Sequence, residues 1–374
     1  MYATQTKLLA QEEMVHTMEK TKLVGVAEIA ELGSTSKQAV ANWRMRYDSF
    51  PKPVQRLQSG PIWERERIED WIKSFRREET HVISFINLKG GVGKTTIAVA
   101  VAELLAQEER KHVLLIDLDP QTNATVTLIS EEQWAEMDEH GQTVAQLFAD
   151  RLNSHEGPKF DIEKAIVRSV STINNGIARL DLLPSSIQLI DLQDRIPMIA
   201  LTGNFTSNPL EILKVALQPV TDRYDYIIID CPPSLGTVTK NGLRISTGYA
   251  IPTIPDIVST WGIYQIVDNV HRFTTDIDRP IPALGIIATK VQQNNLHSRI
   301  IGDLKARRLG RFAEPGVLQQ PPLFKNRIQQ TVVVARGADV DADIRTFKGK
   351  YGCAYNNLQG LTQEIKVICE TKKP

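Results

Sequence analysis

The sequence predicts an α/β body built on a doubly wound, mostly parallel sheet, preceded by a small, mainly helical domain. Three observations carry that prediction. Apolar runs of about five residues, rich in Val, Ile and Leu, recur between residues 82 and 288 with helical stretches between them, as expected of parallel strands buried on both faces. The first run leads through Lys89-Gly90-Gly91-Val92-Gly93-Lys94-Thr95-Thr96 into a helix, so a glycine-rich turn joins strand to helix. Before residue 80 the alternation is absent, and short helical segments around a hairpin pattern take its place.

At 374 residues the chain is long for one core, so two domains with tails are expected. No apolar run approaches the ~18 residues of a membrane span, and the N-terminus has no hydrophobic signal core. Cys231, Cys353 and Cys369 are scattered and lack metal-ligand spacing, which fits a reducing cytoplasm rather than a disulfide framework. Formal net charge is zero but unevenly spread: +1 over residues 1–80, −9 over 81–289 and +8 over 290–374. A basic C-terminal portion on an acidic body points to an anionic partner, DNA first, with a merely solvated basic face as the alternative.

Residues 1–20 form an N-terminal arm, helical over 5–20, with Leu8, Val15 and Met18 on or near one face. A dimerisation arm and a frayed tail are equally open. Residues 21–76 form the small domain. A helix over 26–32 is followed by the turn Gly33-Ser34-Thr35, and Ser36 caps a second helix over 37–47. Ala39, Val40, Trp43 and Tyr47 share one face of that helix. Ser36, Lys37, Gln38, Asn42 and Arg44 are therefore candidate DNA contacts, at the start of a second helix where base edges are read. Residues 54–63 read as a hairpin with Ser59-Gly60-Pro61 at its turn, and 64–75 as a closing helix with Ile68, Trp71 and Ile72 inward. The unit resembles the winged helix-turn-helix of MerR-like and phage excisionase-type proteins, which implies DNA binding; three-helix domains that bind nothing share the pattern.

From 77 to 374 the α/β body follows. Strands are expected at 82–86, 112–117, 179–183, 226–230, 249–254 and 284–288, with surface helices and loops over 131–160 and 191–210. Residues 297–311 read as a helix with five basic side chains against Asp303. Arg307 and Arg308 there, with Lys325 and Arg327 beyond it, make a candidate DNA-facing surface. A last helix over 355–369 carries Leu358, Leu361, Ile365 and Ile368 in one stripe. Its mixed polar face favours packing on the core or a dimer over a membrane.

The glycine loop carries the chemistry. Backbone N–H groups and the positive end of the following helix converge on an anion there. Lys94 would reach the terminal phosphates and the Thr95 hydroxyl a Mg²⁺ ion. Leu88 stands where the strict phosphate-loop pattern has glycine, so the loop is a variant.

That variant, Lys89 to Thr96, resembles the deviant Walker A box of the ParA/MinD family of P-loop ATPases. Two further segments agree in order: Asp117-Leu118-Asp119-Pro120-Gln121-Thr122 with the ParA box, and Asp230-Cys231-Pro232-Pro233-Ser234-Leu235-Gly236 with the Walker B and switch segment. The likeness covers roughly residues 82–335 and is greatest to large plasmid-partition members with an N-terminal winged helix. It implies ATP/ADP and Mg²⁺ as ligands and hydrolysis in an ATP-sandwiched homodimer. The phosphates would lie on Gly90, Gly91, Val92, Gly93, Lys94, Thr95 and Thr96, and the metal on Thr95 and Asp230 with Asp117 close behind. Asp119 would orient the attacking water, and Lys89 would reach the partner's nucleotide. Implied partners are nonspecific DNA, an operator and a ParB-like centromere-binding protein, with a nucleoid-associated location and no membrane. A ParA-like ATPase that positions another cargo, or acts mainly as a regulator, is the alternative. Thr289-Lys290 and Pro321-Pro322 match the adenine region loosely.

Overall fold

The computed structural model describes residues 23–33, 35–47, 49–57, 60–75, 80–152, 158–196, 208–314, 318–330 and 344–371. The expected N-terminal arm, Gln58 and Ser59 of the expected hairpin, and residues 331–343 lie outside them. The chain divides into two compact units, the first being Met1–Glu79 with Pro219–Arg223 and the second Thr80–Gln218 with Tyr224–Pro374.

In the first unit, strand β1 (Leu23–Val24) precedes helices α1 (Val26–Leu32) and α2 (Lys37–Arg46). Strands β2 (Gln55–Leu57) and β3 (Gly60–Glu64) then lead into α3 (Arg65–Phe75). β3 lies centrally and pairs antiparallel with both β1 and β2. Aliphatic residues and four aromatic ones, Trp43, Phe50, Trp63 and Trp71, make this small core: the Phe50 and Trp71 rings stand 4.7 Å apart, and those of Trp43 and Trp71 5.5 Å. The buried Trp63 indole donates to Pro51 O at 2.8 Å, so its one polar atom is satisfied. Ser36 caps α2 by accepting from Ala39 N at 3.1 Å.

The second unit is a six-stranded parallel sheet: β4 (His81–Phe85), β5 (Val113–Asp117), β6 (Leu180–Leu183), β7 (Tyr226–Asp230), β8 (Gly248–Thr253) and β9 (Ala283–Ala288), in the order β6-β5-β7-β4-β8-β9. Every residue of β5, β6, β7 and β8 is buried, which is why these segments read as mainly apolar runs, with Asp181 the polar residue inside β6. The helices of this unit are α4 (Lys94–Gln107), α5 (Asn123–Leu128), α6 (Glu131–Glu139), α7 (Val144–Leu152), α8 (Ile162–Ala165), α9 (Leu189–Arg195), α10 (Ile212–Leu217), α11 (Thr237–Ile245), α12 (Ile257–Asp276), α13 (Asn295–Lys305), α14 (Phe347–Tyr351) and α15 (Tyr355–Thr371). The chain winds from β4 toward β6 on one side, then from β7 across to β8 and β9 on the other. The strand ends around β4 and β7 therefore open where the winding reverses, the place such folds put ligands.

α4 is apolar all round, and burial on every side follows: residues 97–106 are all inaccessible. The C-terminal helix α15 covers it with Leu358, Leu361 and Ile365, so the apolar stripe expected there packs on the core. Glu103, in the middle of α4, is held by Lys350 Nζ at 2.6 Å, Ser171 Oγ at 2.6 Å and Tyr351 OH at 2.5 Å.

One expected element is shorter than its composition suggested. The helix expected over 297–311 starts at Asn295, capped by Asn294, and stops at Lys305. Left-handed backbone at Arg307 (φ 53°) and Gly310 (φ 51°) turns the chain, so Arg307 and Arg308 sit in a turn, not on a helix. Among the described residues no helix is long and apolar enough to cross a membrane.

Candidate functional site

The loop after β4 is fixed at both ends. The Asn87 side chain donates to Pro252 O at 2.7 Å and accepts from Lys89 N at 2.9 Å, tying the loop's start to the end of β8. Thr289 Oγ1 donates to Val92 O at 2.6 Å, fastening its middle. Gly91 (φ 72°) and Gly93 (φ 88°) are left-handed, a conformation that side chains resist. A Cβ would meet nothing within 4 Å at Gly91, so glycine is required there for conformation rather than space. Gly93 is the N-cap of α4 and offers no side chain to it, which leaves the helix's first N–H groups and positive end for a ligand.

Lys94 is only 6% exposed, yet its one hydrogen bond among the described residues is a long one, to Lys89 O at 3.4 Å. A buried ammonium with no hydrogen-bonded anion is costly. The site is therefore built for an anion that completes it.

The three carboxylates differ. Asp117 is fully buried at the end of β5, its Oδ1 accepting from Asp119 N at 3.0 Å and its Oδ2 from Thr125 N at 2.9 Å and Thr125 Oγ1 at 2.8 Å. Burial raises it to about 7, against those hydrogen bonds. With both oxygens engaged, it brackets the turn that carries Asp119. Asp119 is 6% exposed; its Oδ1 accepts from Gln121 N at 3.0 Å, and no protein donor among the described residues sits on Oδ2. Burial raises it, while the Gln121 N–H and the nearby Lys94 oppose the rise.

Asp230 pairs with Asp117 across β5 and β7. It is fully buried and both its oxygens lack a hydrogen-bond partner. Burial, then the neighbouring Asp117, push it well above the carboxylate range. The nearby Thr95 hydroxyl favours the ionised form but makes no hydrogen bond to either oxygen, so both remain open. An orphaned carboxylate facing a hydroxyl is the hard-oxygen donor set that Mg²⁺ takes when most of its other ligands are water and phosphate.

The Lys89 ammonium turns away from Lys94. It donates to Asp256 Oδ2 at 3.2 Å and Ser259 Oγ at 2.9 Å, at the start of α12. Structure thus adds Asn87, Thr289, Asp256 and Ser259 to the expected site. Thr289, loosely matched to an adenine region, here grips the loop itself. Asp256 and Ser259 left a usable signal, a capping residue and its N3 partner directly after an apolar strand.

The DNA-contact candidates fall into two groups. In the first unit Lys37, Gln38 and Arg44 are exposed, Ser36 is engaged as the α2 cap, and Asn42 is half-buried. Gln38 Nε2 reaches Asn42 Oδ1 at 3.4 Å, and the Arg44 guanidinium lies over the Trp63 ring at 5.1 Å. In the second unit Arg307, Arg308 and Lys325 are exposed, with the Lys325 and Asn326 N–H groups held by Glu364 at 2.8 and 2.9 Å. Arg327 is half-buried and lines a cavity of about 480 Å³ with Lys305, Gln292, Asn294 and Ser298.

A family model described as an AAA domain matches residues 80–282, more than half of the chain. The sporulation initiation inhibitor protein Soj of Bacillus subtilis is 34% identical over 226 residues, covering 60% of this chain and 78% of its own. The virulence plasmid ParA family protein pGP5-D of Chlamydia psittaci is 32% identical over 284 residues, 76% of this chain and 93% of its own. Among solved structures, an ATP complex of a Cyanothece McdA variant superposes with a TM-score of 0.56 at 19% identity, over 79% of this chain and 98% of that one. The cobyrinic acid a,c-diamide synthase of Mycobacterium smegmatis with bound ADP and magnesium does so with a TM-score of 0.53 at 24% identity, over 72% and 99%. Both structural likenesses are of fold.

Proposed function

The chain belongs to the ParA/MinD family of P-loop ATPases, and from that premise we propose that it binds ATP with Mg²⁺ at residues 89–96 and hydrolyses it in the service of DNA partition. The observation that carries this is a buried, under-coordinated pair in one crevice: the Lys94 ammonium with only a long hydrogen bond to Lys89 O, and the Asp230 carboxyl with both oxygens open. A triphosphate and a divalent cation would satisfy both together.

Lys94 and the first N–H groups of α4 hold the phosphates, with Thr95 and Asp230 as the metal's protein ligands. Held by Thr95 and Asp230, the cation would supply neutralisation of phosphate charge. Asp119 orients a water whose oxygen attacks the γ-phosphorus as the bond to the bridging oxygen breaks and ADP leaves. Asp117 keeps Asp119 in place through its N–H. Lys89 serves across a homodimer, contributing its charge to the partner's nucleotide.

Nonspecific DNA is bound in the ATP state through the basic C-terminal portion, and an operator through the first unit, with Gln38, Asn42 and Arg44 near base edges. A ParB-like centromere-binding protein is the expected stimulating partner, and the nucleoid the expected location. The test is phosphate release by the full chain with and without Mg²⁺. Slow release of phosphate from ATP that stops when the metal is chelated supports the reading; no nucleotide binding under either condition contradicts it.

A further inference from the structure

Lys89 is built into the phosphate loop by its backbone and into α12 by its side chain. Its N–H is fixed by Asn87 and its carbonyl faces Lys94, so only the side chain is free to change partner. The acceptors at α12 are organised for it. Asp256 caps the helix, its Oδ1 accepting from Ser259 N at 2.7 Å. The Ser259 hydroxyl donates to Asp256 Oδ2 at 2.9 Å while accepting from the Lys89 ammonium, which closes a triangle of three side chains. The Lys89 and Asp256 side chains remain 41% and 27% exposed, so the contact is open to water and to an incoming group.

We infer that Asp256, together with Ser259, is a positioning residue that holds the Lys89 ammonium on its own subunit, and that ATP-driven association must take Lys89 away from it. This rests on the reading of Lys89 as acting across a dimer. One ammonium cannot lie on Asp256 and on a second copy's phosphates, so the two states compete, and weakening one populates the other. A half-exposed ion pair is a weak hold. It sets a threshold for association without blocking it.

Asp256→Asn removes the charge but keeps a good helix cap; Asp256→Glu restores the charge. Two readouts on the full chain decide. The first, without nucleotide, is the rate at which an amine-acylating reagent modifies Lys89, followed by mass spectrometry with Lys325 as an exposed reference. The second is the ATP concentration for half-maximal association in Mg²⁺, by sedimentation. D256N should be acylated about two- to fivefold faster at Lys89 and associate at an ATP concentration about two- to fivefold lower, with D256E closer to the parent. Unchanged acylation of Lys89 overturns the inference. Faster acylation with an unchanged or higher ATP requirement overturns the claim that the contact opposes association. If the parental chain does not associate with ATP at all, the dimer reading above fails and the release step fails with it; the acylation rates separate that case from a missing Lys89–Asp256 contact.

Discussion

Lys94 and Asp119 face the same crevice, yet their surroundings give them different tasks. Lys94 has no hydrogen-bonded anion among the described residues, and on the proposed reading Lys94→Ala removes the main cation for the phosphates and should abolish ATP binding at concentrations that saturate the parent. Asp119 has a fixed Oδ1 and an open Oδ2, so Asp119→Ala should bind ATP normally and turn it over at least about a hundredfold more slowly. Filter binding and single-turnover hydrolysis check both; parental turnover by Asp119→Ala would remove it from the water-orienting role. Asp230 has a different signature. Its open, buried carboxylate destabilises the ligand-free fold, so Asp230→Asn should stabilise that state by about 1–3 kcal/mol while losing Mg²⁺-dependent nucleotide binding. Asp117 and Asp230 titrate above the ordinary carboxylate range, so the native state keeps protons that the unfolded chain releases. Ligand-free stability should accordingly fall as pH rises from about 4 toward 7. Thermal melts at pH 5.5 and 7.5 should show a smaller fall for D230N than for the parent; an identical fall would contradict the assignment.

At the scale of elements, α4 joins the phosphate loop to the C-terminal segment through a buried ion pair. Glu103 and Lys350 are 0% and 1% exposed at the side chain and 2.6 Å apart. Breaking such a pair on one side leaves a buried charge, so Lys350→Met should cost about 3–5 kcal/mol in urea unfolding, and the double change Glu103→Leu/Lys350→Met should recover much of it. Equal losses in single and double variants would mean the charge is not what matters. This contact was invisible in the sequence, because 247 residues separate the partners and neither stands in a motif. The six strands, by contrast, are visible as apolar runs bounded by turns, and the phosphate loop as glycines followed by Lys94-Thr95 between a strand and a helix. α12 was not singled out: its Ile, Val and Thr residues suit a strand as well as a helix, and tertiary packing decided. The basic helix was overextended because Arg and Lys fit a helix well, and only the backbone reveals the left-handed turn at Arg307. Lys89 was picked out by its place in the loop, but its partner on α12 depends on how β8 lies beside β4.

Across the whole molecule charge is uneven, with an acidic body and a +8 C-terminal portion, and on the proposed reading the latter is the DNA-binding part. Arg307, Arg308 and Lys325 are exposed, and no base-reading motif accompanies them, so their contacts should be to phosphates and insensitive to sequence. Reversing all three charges should weaken binding to random-sequence DNA and make the salt dependence shallower by about 0.9 in log–log slope per lost contact. The central claim is that ATP, held at the loop after β4, controls engagement with DNA. Its most direct test is the affinity of the full chain for random-sequence DNA at one fixed salt concentration, with ATP and Mg²⁺, with ADP and Mg²⁺, and without nucleotide. Tight binding in the ATP state alone is the predicted result; equal affinity in all three states would contradict it.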